Sequence, residues 1–438
     1  MNRGSTDATK KKKSPSSPPV SSSMPRLIII GAGFAGIQLA RKIDTSLYDV
    51  LVIDKLNHHQ FQPLFYQVAT SQIEPSSISF PLRSILKRKK NLQIRMAEVK
   101  EIVPSEHRIE TSIGSFDYDV LVIATGCKTN FFGNTEVEKN ALTLKTTHEA
   151  ITIRNHILEI FERILSAPEE EKEALFNLVI VGAGPTGVEL AGAFAEIKEH
   201  ILPKDYPGID FSRFTIHLIE GSPNTLNAMS DNAKQASRRF IEEFGVQLRT
   251  QTYVANYDGE VLTMKNGDTI RTRTVIWSAG VTGNVIPGLD PACAAPGNRI
   301  QVDRFNEVLG HPDIYVLGDI AMMATEKYPQ GHPQLANVAI SQAVLLAKNL
   351  KAVRRNAPKK EYEYKDKGSM ATIGTHRAVV DLPFWKMEGY VAWVIWMFLH
   401  LMLILSVRNK LIIFINWAWA YLTKDSSLRL ILRPTRRI

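Results

Sequence analysis

Six glycines and two acids, arranged in two matching sets, are the residues of this chain best placed to do chemistry. Gly31, Gly33 and Gly36 follow the apolar run Leu27 to Ile30, and Gly182, Gly184 and Gly187 follow Leu178 to Val181. In the spacing G-x-G-x-x-G the first glycine makes a tight turn, the second lets backbone approach a pyrophosphate, and the third lets a helix pack on the strand. The N-terminus of that helix then holds the phosphates. After each set comes a second apolar strand closed by an acid, Asp54 after Val50 to Ile53 and Glu220 after Thr215 to Ile219. A carboxylate there accepts from a ribose hydroxyl. One such motif alone is often a turn with no ligand, but two copies, each between a strand and a helix, predict two dinucleotide folds in one chain. Glu220 would accept from a free 2′-hydroxyl and repel a 2′-phosphate, which favours NADH over NADPH. Its distance from Gly187 is lengthened by the insert around Leu202 to Pro207.

These residues need a scaffold, and the composition supplies one. The chain has 438 residues, of which 44% are apolar and 22% charged, an ordinary globular composition with length for two or three domains. Cys127 and Cys293 stand alone without a CxxC or Cys/His cluster, so neither a disulfide framework nor a metal site is expected. The net charge of +9 sits at the ends, +5 over residues 1–26 and +6 over residues 385–438. That distribution suits an anionic membrane surface rather than a nucleic acid, which calls for a basic face within a folded domain. The opening Lys/Ser/Pro stretch reads as a disordered tail, and no apolar run suited to a secretory signal follows it. Three more strands end in small or acidic residues: Tyr118 to Ile123 in Ala124-Thr125-Gly126, Val275 to Trp277 in Ser278-Ala279-Gly280, and Ile314 to Leu317 in Gly318-Asp319.

With these strand ends added to the two glycine motifs, the chain resembles the two-dinucleotide-binding-domain flavoproteins from about Leu27 to Leu350. Within them, Phe61 to Ala69 and the segment from Trp385 to Leu432 resemble the type II NADH:quinone oxidoreductases, which are single-subunit and do not pump protons. The resemblance implies an α/β fold with two Rossmann-like domains, the NADH domain inserted in the FAD domain, and a C-terminal helical membrane-attachment region. It implies non-covalent FAD facing Gly31, Gly33 and Gly36, with Asp54 at the adenosine ribose, Thr125 and Gly126 beside the flavin, and Gly318 and Asp319 at the ribityl hydroxyls. NADH, the substrate, would meet Gly182, Gly184, Gly187, Glu220 and Gly280. The family carries an Ala-Gln-x-x-x-Gln-Gln segment at its quinone site. Here Ala336-Asn337-Val338-Ala339-Ile340-Ser341-Gln342 stands instead, so Asn337, Ser341 and Gln342 are the candidate quinone residues and both leading glutamines are replaced. The family places Glu189 near the quinone path, although a carboxyl early in a helix is equally a dipole partner. Lys55 to Ser71 contains no cysteine, which excludes the thiol relay of disulfide reductases and leaves Cys127 as a buried small residue. His58 and His59 read as structural rather than catalytic.

The expected divisions are a tail at 1–25, the FAD domain at 26–150 and 295–350, the NADH domain at 151–294, a linker and strand region at 351–384, and membrane-associating helices at 385–438. Val391 to Leu405 and Leu411 to Leu422 are each too short for a span of about 20 residues, and Arg408, Asn409 and Lys410 divide them. Amphipathic helices lying in the cytoplasmic leaflet of the cell membrane are the leading reading. A hairpin of tilted spans and a buried core helix pair are the alternatives. Trp385, Trp393, Trp396, Trp417 and Trp419 suit a headgroup boundary, and Arg429, Arg433, Arg436 and Arg437 suit anionic lipid. A homodimer is compatible with all of this. Two other functions stay open: a soluble NADH-dependent reductase of a protein or of oxygen, and a non-enzymatic FAD-bound membrane interaction protein.

Overall fold

The computed structural model describes residues 24–423 and 428–431. All of the expected basic tail but Met24 and Pro25, together with Arg433, Arg436 and Arg437, lies outside them.

Two parallel sheets carry the molecule. The first has the strand order Glu307–Val308, His311–Val316, Val120–Ile123, Arg26–Ile30, Asp49–Asp54, Leu92–Met96, antiparallel only at the first pair. Its central strands are apolar at successive positions because both faces are covered: Leu27 and Ile29 face one core cluster, Ile28 and Ile30 another. Continuous apolar runs are what a buried parallel sheet requires. Helices Phe34–Lys42 and Ala336–Val353 pack together over the first face.

The second sheet has the order Leu142–Thr143, Thr274–Trp277, Asn177–Val181, Thr215–Ile219, Gln247–Arg249 and is parallel throughout. It lies in sequence between strands of the first, since Val120–Ile123 precedes it and His311–Val316 follows. Leu142 pairs with Ile276, which carries the second sheet back ahead of the expected boundary at 151.

A three-stranded antiparallel sheet follows, Ser369–Thr372, Ala378–Leu382 and Trp385–Glu388. Residues 385–388 were expected to open the membrane helices. They form a strand instead, because their backbone completes the ladder against Val379 to Leu382. Helices Tyr390–Leu403 and Val407–Thr423 come after it. Each has an inner face in the main core: Ala392 and Trp396 on the first, Ile413 and Trp417 on the second. Trp396 is 1% exposed and Trp417 9%, so these two tryptophans pack the interior and do not belong to a headgroup belt. Each stands one turn after another inward residue of its own helix, Trp396 after Ala392 and Trp417 after Ile413, which explains the difference.

Candidate active site

Each glycine loop divides its work among three positions. Gly31 (φ +95°) and Gly182 (φ +100°) turn the chain in a region that side chains avoid. A Cβ at Gly36 would collide with the Gly31 carbonyl oxygen, and one at Gly187 with that of Gly182, so these glycines seat helix against turn. Gly33 and Gly184 differ: a Cβ on either would meet nothing within 4 Å. Both are N-caps, of helices Phe34–Lys42 and Pro185–His200, and neither helix has a side-chain cap. Helix Thr147–Ile164, by contrast, carries a full capping box from Thr146 and Glu149. Uncapped N–H groups facing open space form an anion cradle, and this fits a bound pyrophosphate at both loops.

The strand-end acids brace the loops. Asp54 accepts from the Ala32 N–H at 2.6 Å and the Leu56 N–H at 2.7 Å. Glu220 accepts from the Ala183 N–H at 2.6 Å and the Ser222 N–H at 2.7 Å. A carboxylate has about four lone-pair sites, so each keeps capacity for a ribose hydroxyl. Burial pushes the Asp54 carboxyl up while the two backbone N–H groups pull it down.

The remaining expected residues gather at the same sheet edges. Gly31, Thr125 and Gly318 follow three neighbouring strands of the first sheet, and Asp54 closes the next. Thr125 donates from its hydroxyl to the Asn284 carbonyl at 2.8 Å, and the Asn284 N–H donates to the Gly126 carbonyl at 2.9 Å. Gly280, after the strand Thr274–Trp277, accepts from the Asn130 N–H at 3.4 Å. Asp319 is largely enclosed, and burial raises its carboxyl pKa while Lys145 and Arg299 lower it. Those two cations carry no spacing signal and were not foreseen from the sequence; only the fold brings them to Asp319. Nor was Ser278, which ties the second loop by donating to the Val181 and Gly182 carbonyls at 2.8 and 2.9 Å.

Cys127 is half-buried, its sulfur accepting from Gln334 Nε2 at 2.9 Å, and burial pushes the thiol up to about 12. A thiol held protonated is no relay. His59 is buried between Phe34 and Phe80 with Nδ1 3.0 Å from the Ala32 carbonyl oxygen, and burial lowers its pKa. It supports the first loop.

On helix Ala336–Val353 the candidate acceptor residues separate. Gln342 is 1% exposed and its Oε1 accepts from the Gly318 N–H at 2.8 Å, which holds the Gly318-Asp319 turn. Ser341 donates to the Asn337 carbonyl at 2.6 Å and sits 2.7 Å from the Tyr362 hydroxyl. Asn337 is half-buried.

Glu189 lies in helix Pro185–His200, buried, with a backbone hydrogen bond from Thr372, and burial pushes its carboxyl well above the ordinary range. Burial that disfavours the ionised carboxyl also weakens it as a dipole partner, because the attraction needs the charge. Burial first, and then the Glu189 carboxylate when it is ionised, raise the Tyr66 hydroxyl, from which a polar chain runs through the interior. Gln67 Nε2 donates to the Tyr66 hydroxyl at 2.9 Å, and Trp417 Nε1 donates to Gln67 Oε1 at 2.9 Å. Tyr66 also meets the Trp396 ring, on which His400 stacks at 4.0 Å. The segment Phe61 to Ala69 is thus joined to both C-terminal helices.

Comparison with known proteins agrees with this layout. The family model described as pyridine nucleotide-disulphide oxidoreductase matches residues 25–343, and the NDH2 C-terminal domain matches residues 367–424. The chain is 32% identical to the type II NADH:quinone oxidoreductase Ndh of Mycobacterium tuberculosis over 91% of its own length and 88% of that protein's. It is 29% identical to the internal alternative NAD(P)H-ubiquinone oxidoreductase A1, mitochondrial, of Arabidopsis thaliana, over 90% of this chain and 83% of the relative. The structure of NDH2 from Plasmodium falciparum in complex with NADH superposes with a TM-score of 0.86 at 22% identity, covering 93% of this chain and 100% of that one. With one family model spanning most of its length and a relative this similar along nearly all of it, the chain belongs to the pyridine nucleotide-disulphide oxidoreductase family and, within it, to the type II NADH:quinone oxidoreductases.

Proposed function

We propose that the second fold binds NADH, the first holds FAD non-covalently, and electrons leave to a membrane quinone without proton pumping. Two cradles carry this reading: uncapped helix N-termini open at Gly33 and Gly184, each braced by a strand-end acid. Bound FAD would supply a hydride acceptor and a two-electron store. The protein's own part is alignment. The first loop, Asp54, Thr125, Gly126, Gly318 and Asp319 would orient the flavin nucleotide. Gly182, Gly184, Gly187, Glu220 and Gly280 would bring the nicotinamide nucleotide to the facing edge. Gln342 fixes the turn that presents Asp319, and Asn337 and Ser341 of the same helix would face the acceptor. Glu189, whose carboxyl burial pushes well above the ordinary range, would supply a proton when the quinone is reduced.

Attachment to the membrane is peripheral in this proposal. No helix among the described residues is long and apolar enough to cross a membrane. The outer faces of the two C-terminal helices are nevertheless apolar: Val391, Phe398, Leu403, Val407, Leu411, Phe414 and Ile415 are all exposed. Exposed apolar surface of this kind marks an interaction site, and a helix pair with one apolar face in the core and another exposed would rest on a bilayer by that outer face. The anionic cytoplasmic leaflet is the surface that a basic C-terminus fits.

The test is NADH oxidation by the purified, FAD-loaded protein with a quinone, a one-electron carrier protein and oxygen offered in turn. Quinone should exceed the other two by about tenfold or more, a barrier difference of about 1.4 kcal/mol. A protein acceptor or oxygen outrunning quinone would favour the soluble reductase instead. Flavin that NADH does not bleach would leave only the non-enzymatic reading.

A further inference from the structure

A second feature lies where the C-terminal helices turn back, at residues 405–409. Between them and the first fold lies a cleft of about 610 Å³, within the size range of small-molecule sites. Arg41, Lys87, Arg88 and Arg408 line it, with Ser84 and Ser406 among the hydroxyls. No acid is part of its lining among the described residues. All four cations are exposed, and among the described residues the only side-chain hydrogen-bond partner of any of them is the neutral Gln38, 3.4 Å from Arg41.

Both walls are fixed. Asn409 is buried and donates from Nδ2 to the Ser76 and Ser77 carbonyls at 3.1 and 2.9 Å, pinning the helix-helix turn to the first fold. The backbone of Arg408, next to it, is therefore held at the cleft that Arg88 also lines. Leu405, Ser406 and Arg408 of the turn line the cleft, and beside them in the chain Leu403, Val407 and Leu411 are 49%, 74% and 58% exposed.

Four cations sharing one cleft repel one another, and an anion relieves that repulsion. Guanidinium groups bind phosphate oxygens in pairs, and serine hydroxyls add donors. The exposed apolar side chains next to the turn decide which phosphate. A soluble anion gains nothing from Leu403, Val407 and Leu411, whereas a phospholipid would lay its acyl chains over them with its phosphate among the arginines. We propose that this cleft is a binding site for the phosphate headgroup of an anionic phospholipid, which sets how the flavin fold is held against the bilayer. The inference rests on the membrane attachment proposed above.

The experiment uses the full-length, FAD-loaded protein in flotation with phosphatidylcholine vesicles and with vesicles containing phosphatidylglycerol. Wild type should float with both and bind the anionic vesicles more tightly. The double variant Arg88→Gln/Arg408→Gln should lose most of that preference, about fivefold for each charge removed. It should keep its binding to neutral vesicles and its flavin reduction by NADH. Lys265→Gln, in the turn between strands Val261–Met264 and Thr269–Arg271, should change nothing. A double variant with the full anionic preference would overturn the site. Inorganic phosphate raising the Tm of wild type but not of the double variant, with no anionic preference in flotation, would assign the cleft to a free anion and overturn the lipid reading. Failure of wild type to float with either vesicle would overturn the attachment itself, a result distinct from loss of the preference alone.

Discussion

At Gly33 the missing side chain leaves room for a ligand, whereas at Gly36 it leaves room for the protein's own backbone. The two positions should therefore fail differently. Gly33→Val should fold with little change in stability and purify without flavin, since its side chain fills the cradle. Gly36→Ala should destabilise the fold itself by about 1–3 kcal/mol, the usual cost of overpacking, seen as a lower Tm of the flavin-free protein. Flavin content and Tm together check both, and a yellow Gly33→Val with wild-type flavin content would move the site. Glu220 is the residue for nucleotide choice. A 2′-phosphate near its carboxylate costs about 1–4 kcal/mol at about 4 Å for effective dielectrics of 80 to 20. Glu220→Gln keeps an acceptor for the Ala183 or Ser222 N–H and should narrow the NADH/NADPH ratio of kcat/KM by about fivefold or more. Equal wild-type values for the two nucleotides would refute this.

The helix Tyr390–Leu403 is amphipathic in an unusual sense, since both its faces are apolar and only one is covered. His400 sits on the covered side, stacked on Trp396 with Nδ1 2.8 Å from the Trp396 carbonyl oxygen. Burial lowers its pKa from the ordinary 6.5 to about 4. The native state thus resists a proton that the unfolded chain takes up below pH 6.5. Stability from the neutral imidazole is complete above that pH and is lost as pH falls toward 4, by about 3 kcal/mol at most. In His400→Phe that loss should vanish. Comparing Tm at pH 6.5 and 4.5 in both proteins measures it, and an equal drop in the two would show that His400 does not contribute.

For the whole molecule the issue is which surface meets the bilayer. Deleting the C-terminal helices would strip Trp396 and Trp417 from the core and confuse unfolding with release. Placing charges on the outer face is the cleaner test. Val391→Glu, Phe398→Glu and Phe414→Glu together alter exposed side chains only. They should shift the protein from membrane to soluble fraction, by more than about tenfold in partitioning given insertion costs of about 2.5–3.5 kcal/mol for an acid at depth. Flavin reduction by NADH should persist, while turnover of long-tailed quinones should fall. A triple variant that still sediments with membranes would place the attachment elsewhere.

Both nucleotide folds were legible in the residue order because their signals are local. A glycine triplet, an apolar strand and a strand-end acid lie within one βαβ unit, so spacing alone brings them together. The same locality explains why Cys127, His58 and His59 could be set aside from chemistry. What the sequence left open depends on residues far apart in the chain. Lys145 and Arg299 reach Asp319 only because the chain leaves the first sheet after Val120–Ile123 and returns with His311–Val316. Trp396 and Trp417 share the hydrophobicity of Trp385 and Trp419, and only docking on the core separates inner from outer tryptophans. Trp385–Glu388 became a strand because a partner strand was present, and pairing outweighs local composition at a sheet edge. Sequence spacing thus determined the chemistry that short-range backbone geometry can build, and the tertiary structure decided burial, charge neighbours and exposed faces, because those depend on which distant segments pack together.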